Sequence, residues 1–154
     1  MKREACQDRV PTLPPHDGEG VTPGATMPLP HPLPALNPAD QKKLAALLRK
    51  GAVLPMLNLT KWAELIEAMQ AAGEQRPQFR LRSVFAVEDF VTAWDGEWYC
   101  HIHPVAEIEW LEIRSRSPEW LAGVLRKHGI PFSIEAGSVR VWGYTRPGVQ
   151  PHWQ

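Results

Sequence analysis

The chain predicts an α+β fold, with a single mainly antiparallel sheet of about five strands and two or three helices packed on it. Three observations carry this. Apolar residues recur at helical spacing in segments with marked starts and stops. Between and after them lie short runs of alternating polar and apolar residues. The turn dipeptides Asp95-Gly96 and Ala136-Gly137 punctuate those runs, which favours hairpins over crossovers.

Residues 1–36 are read as a proline-rich disordered segment. Nine of the sixteen prolines fall between Pro11 and Pro38. Pro28 to Pro34 reads Pro-Leu-Pro-His-Pro-Leu-Pro, which favours extended polyproline II and builds no core. Residues 37–57 are a short helix and a connector. Asn37 can cap, Pro38 suits the first helical position, Gly51 can close it, and Leu44, Leu47 and Leu48 form a narrow apolar stripe.

Residues 58–145 form the expected α+β domain, followed by a loose tail at 146–154. Trp62, Leu65, Ile66, Met69 and Ala72 mark a helix that ends near Gly73. Phe79, Leu81, Ser83 and Phe85 alternate with Arg80, Arg82 and Val84, giving a strand with a basic face. Ser117-Pro118-Glu119 opens another helix, lined by Leu121, Val124 and Leu125 and stopped at Gly129. In the last hairpin, Phe132 is expected opposite Val141 and Ile134 opposite Val139.

The middle hairpin is the centre of the functional reading. Residues 97–103 alternate like a half-buried strand, and 108–114 follow beyond Pro104. With 104–107 as the loop, residue 97 faces 114 and 103 faces 108. Trp98, Cys100, Ile102, Leu111 and Ile113 then share the core face, with Glu109 near its loop end. Glu97, Tyr99, His101, Trp110, Glu112 and Arg114 share the other and make the expected binding surface. Trp94, Asp95, Gly96 and Trp98 are expected to be structural. Asp95 would bond turn amides, and Gly96 would accept positive φ.

Composition narrows the function classes. Lys plus Arg and Asp plus Glu both number 17, so the whole chain carries no electrostatic footprint for DNA. Residues 58–145 hold nine basic and twelve acidic side chains. Cys100, on the predicted core face, reads as a reduced thiol in a cytoplasmic protein. Neither a signal-peptide core nor a membrane span is expected. Glycine loops for phosphate, nucleophile elbows and multi-ligand metal motifs are missing from the sequence, so no catalytic residue, cofactor or metal is assigned.

Thr60-Lys61-Trp62, Trp94-Asp95-Gly96-Glu97-Trp98, Ile108-Glu109-Trp110-Leu111-Glu112-Ile113 and Val139-Arg140-Val141-Trp142-Gly143-Tyr144 together resemble the bacterial domain-of-unknown-function family 6678, over roughly residues 58–144. The resemblance supports domain limits and implies no activity.

The expected function is a small non-enzymatic protein-binding module, of the immunity or antitoxin type that partners a bacterial toxin. Tyr and Trp are efficient anchors, and an acidic rim would steer a basic partner. One alternative is a metal site or metal-dependent enzyme using His101 and His103. Another is single-stranded RNA binding on an aromatic sheet face, disfavoured by the acidic balance.

Overall fold

The computed structural model describes residues 33–154. The proline-rich reading of residues 1–36 falls almost wholly outside them. Three helices form where the sequence marks them. Helix α1 is Pro38–Arg49, α2 is Leu59–Gln70 and α3 is Pro118–Lys127. The Asn37 side chain accepts the Asp40 N–H, and the Asn58 side chain accepts the Lys61 N–H, so each satisfies an orphan donor of the first turn. Ser117 makes no such side-chain bond. Its backbone N–H instead donates to Ser115 Oγ.

The strands are β1 (Leu54–Pro55), β2 (Gln78–Ser83), β3 (Ile108–Arg114), β4 (Phe132–Glu135), β5 (Ser138–Trp142) and β6 (Tyr144–Thr145). They form two antiparallel sheets rather than one of five strands. One is four-stranded in the order β2-β3-β5-β4, and the other pairs β1 with β6. The final hairpin takes the expected register, with Phe132 opposite Val141 and Ile134 opposite Val139. Ala136 and Gly137 turn it with φ of 49° and 82°.

The middle hairpin does not form. Strand β3 pairs with β2 on one side and with β5 on the other. Residues 97–103 make no strand. They form a turn in which the His101 N–H donates to Glu97 O at 3.3 Å, one helical loop of chain. The physical reason lies in the spacing. Trp98 and Ile102 are buried but Cys100 between them is exposed. Their separation of four suits a helical turn as well as a strand face, so alternation alone could not distinguish the two. Trp98 is wholly buried, and its indole N–H donates to Pro77 O at 3.0 Å. The reduced, core-facing thiol expected at Cys100 is also corrected. Cys100 is disulfide-bonded, which removes the cysteine argument for the cytoplasm. The sequence's other cysteine, Cys6, lies outside the described residues.

One face of the four-stranded sheet carries Phe79, Leu81, Leu111, Ile113, Phe132, Val139 and Val141. These join Trp62, Leu65, Ile66 and Met69 of α2 and Leu121 and Leu125 of α3 in one core. The loop side chains Trp98, Ile102 and Val105 fill the same core. Leu44 and Leu47 of α1 pack with Phe85 against Val53, Val84 and Tyr144. The tail is not loose at its end: Trp153 bridges to Ser133, and the Gln154 N–H donates to Phe132 O at 3.1 Å. Among the described residues, no helix is long and apolar enough to cross a membrane.

Candidate functional site

The other face of the four-stranded sheet is built of arginine, tryptophan and two buried carboxylates. Cross-strand partners share a face, so the register places Arg80, Glu112 and Arg140 in one row and Arg82, Trp110 and Trp142 in the next. Between those rows and the start of β3 the pairing slips. Arg82 faces Trp110 but Ser83 faces Ile108, which leaves Glu109 as an extra residue. The bulge changes the alternation. Ile108 enters the core, and Glu109, expected on the core face, bonds arginines instead.

Glu112 is 3% exposed and Glu109 is 5% exposed. Two buried carboxylates are costly unless their oxygens are all paired. Here they are. Glu112 Oε2 accepts from Arg80 Nη2 at 3.0 Å, and Oε1 accepts from Arg140 Nη2 at 2.7 Å. Glu109 Oε2 accepts from Arg82 Nε at 3.1 Å, and Oε1 accepts from Arg146 Nε.

The rings organise the same guanidiniums. Trp94 carries Arg80 at 4.7 Å and Arg114 at 4.5 Å from its centroid. Arg140 lies 3.9 Å from the Trp110 ring and 5.2 Å from the Trp142 ring. Trp142 donates its indole N–H to Ser133 Oγ at 2.8 Å. Trp94 reaches this face because residues 92–95 run along the edge of β2. Phe79 and Asp95 exchange two backbone hydrogen bonds of 2.8 Å, and the Thr92 N–H donates to Leu81 O at 2.9 Å.

The expected binding residues therefore separate. Trp110, Glu112 and Arg114 do share this face, but Trp110 and Glu112 are buried beneath arginines. Tyr99 lies elsewhere, half-buried against the core cluster. Burial pushes its hydroxyl pKa above the usual tyrosine value; Glu67 adds to the shift and Arg76 opposes it. Glu97 is exposed in the 97–101 turn, and its N–H donates to Asp95 Oδ1 at 2.7 Å. Asp95 thus bonds a turn amide as expected, while Gly96 does not adopt positive φ.

His101 and His103 line a small cavity of about 160 Å³ with Phe79, Leu81, Thr92 and Asp95. Each imidazole is held through Nδ1 at 2.7 Å, His101 by Asp95 and His103 by Glu107. That leaves Nε2 of each ring as the nitrogen for any ligand. Among the described residues, no group of three or more His, Cys, Asp or Glu side chains is placed to hold a metal ion.

Sequence reasoning took Arg80 and Arg82 as the basic face of a strand and gave Arg140 and Arg146 no role in the site. A signal was present. Arg80 and Arg82 alternate on one run, Glu109 and Glu112 lie on another, and opposite charges facing each other stabilise adjacent strands. A family model described as Family of unknown function (DUF6678) matches residues 44–148. No curated protein matches the chain, and no solved structure does.

Proposed function

The chain belongs to DUF6678, a family of unknown function, so its role has to be read from its own side chains, and we propose that it is a non-enzymatic protein-binding module whose arginine-lined sheet face takes an acidic partner. The observation that carries this is Trp94 holding two guanidiniums at once, those of Arg80 and Arg114. Arginine and tryptophan are the side chains that most often dominate binding energy. Stacking on a ring and pairing with buried carboxylates fix the guanidiniums before a partner arrives, which lowers the ordering cost of binding.

Charge sets the kind of partner. The face holds Arg80, Arg82, Arg114, Arg140 and Arg146 against Glu109 and Glu112. This local excess of positive charge reverses the polarity inferred from the domain's acidic balance. The partner surface is therefore acidic rather than basic. If the module is of the immunity or antitoxin type, the toxin surface it covers is acidic. Single-stranded RNA would also meet positive charge here. However, Trp110 and Trp142 are buried, and a base would have to compete with two guanidiniums for the Trp94 ring.

The test is affinity capture from the native host using wild-type chain, Trp94→Ala and the double variant Arg80→Glu/Arg114→Glu. Circular dichroism would confirm that each variant folds. The reading expects an acidic protein that is captured by wild type, lost with the charge reversal and weakened without Trp94. Capture unchanged by both variants would overturn it, as would nuclease-sensitive capture.

A further inference from the structure

Four arginines of this face are paired with its two buried carboxylates. Three others, gathered at one end of the same sheet, are not. A cavity of about 420 Å³ lies where the segment leading into β2 meets the end of β3. Its walls include Glu74, Arg76, Gln78, Arg114, Ser115 and Arg116. We infer that this cavity binds a phosphate monoester, presented by a phosphorylated segment of the protein partner. The carrier of the phosphate rests on the reading above; the phosphate site does not.

The arginines are placed but not satisfied. Arg76 donates one Nη2 bond to Gln70 O at 3.2 Å, and Arg114 donates one to Gln78 Oε1. A guanidinium has five N–H donors, so each retains several. Among the described residues, Arg116 makes no hydrogen bond, and none of the three forms an ion pair. Within the cavity only Glu74 opposes them, so the formal balance is two positive charges. A phosphate monoester carries about two negative charges and three acceptor oxygens, which match that balance and the arginine forks.

Two observations favour a phosphorylated side chain over a nucleotide. Arg114 and Arg80 already stack on the Trp94 ring, so a base would compete with two guanidiniums for it. Arg114 also belongs both to the cavity and to the arginine-lined face. A segment with its phosphate in the cavity would thus continue onto the face assigned to the acidic partner.

The test is isothermal titration of the full chain with a short acidic peptide bearing one phosphoserine. The same peptide with serine or glutamate at that position, inorganic phosphate and adenosine 5′-monophosphate serve as comparisons. Wild type is expected to bind the phosphopeptide at least about tenfold tighter than every comparison probe, and Arg116→Ala to lose about tenfold of that affinity. Arg76→Ala should weaken binding likewise, whereas Arg49→Ala on α1 should leave it unchanged. The inference is overturned if the glutamate peptide binds as well as the phosphopeptide, or if both cavity variants bind like wild type. Equal or tighter binding of adenosine monophosphate or free phosphate overturns it too. If phosphopeptide binding fails while capture still depends on Arg80 and Trp94, only the cavity is misread. If the phosphopeptide binds but capture ignores those residues, the face is misread and the cavity stands.

Discussion

Arg80 on β2 and Glu112 on β3 stand directly opposite each other, with Nη2 and Oε2 3.0 Å apart, and Arg140 on β5 completes the row from the other side at 2.7 Å. A carboxylate in the middle strand thus ties three strands together through charge. The arrangement makes Glu112 costly to change, because both arginines lose their partner at once.

Replacing Glu112 with Gln keeps the shape and removes the charge. The expected loss is about 3 kcal/mol, as for other buried ion pairs broken from one side. Urea denaturation measures it. The Arg140 side chain is 19% exposed and that of Arg80 is 37% exposed, so water screens Arg80 more. A double-mutant cycle should therefore give a larger coupling of Glu112 to Arg140 than to Arg80. Equal couplings would show that burial does not set their strengths.

Gly143 is a position where backbone meets backbone. Its N–H donates to Glu109 O at 2.9 Å, and a Cβ placed on it would lie 2.1 Å from Ile108 O. A carbonyl in a bulged strand cannot retreat like the end of a flexible side chain. Gly143→Ala is expected to lower stability by about 3 kcal/mol, at the upper end of overpacking costs. A thermal midpoint equal to wild type would mean that the bulge yields freely.

The C-terminal tail is pinned to β4 by Glu135. The His152 backbone N–H donates to Oε1 at 2.9 Å, and its ring Nδ1 lies 3.1 Å from Oε2. Chiefly through the backbone bond, the Glu135 carboxyl is held below its usual pKa; Ser133 and the His152 ring add to this and burial opposes it. A depressed carboxyl pKa contributes stability above the unfolded-state pKa and loses it as pH falls through the folded-state value. Protection of the amides at residues 152–154, taken relative to their intrinsic exchange rates, should therefore fall on acidification through the carboxylate range. Glu135→Gln should show fast exchange at neutral pH with that acid dependence removed.

Tyr144 behaves oppositely with pH. Its hydroxyl donates to Ala106 O at 2.7 Å, and burial pushes its pKa above the usual tyrosine value. A raised pKa means that the contribution is present below the unfolded-state value and disappears as pH rises through the folded one. Tyr144→Phe should cost about 1 kcal/mol at neutral pH, the net value of one hydrogen bond. It should also reduce the alkaline loss of stability followed by circular dichroism.

Some of the fold could be read directly because the signals were local. The Asn37 cap satisfies an amide three residues away, and Ala136-Gly137 sets the pairing on either side of itself. The middle of the chain was illegible for an equally definite reason. Residues Trp98 and Ile102 fit two periods at once, and the bulge at Glu109 interrupts the alternation from which its side was inferred. The candidate face suffered most, since Tyr99, His101 and Glu97 were assigned to it through a strand that is not there.

The sequence by itself determined the three helices, the last hairpin and the α+β class, because capping, turn chemistry and apolar spacing act over a few residues. Only the tertiary structure decided that β3 lies between β2 and β5, and hence that Glu109 and Glu112 are buried among arginines. Strand neighbours are chosen by which charges and apolar faces can be satisfied together across the sheet, and that choice depends on residues more than thirty positions apart, as Arg80 and Glu112 are.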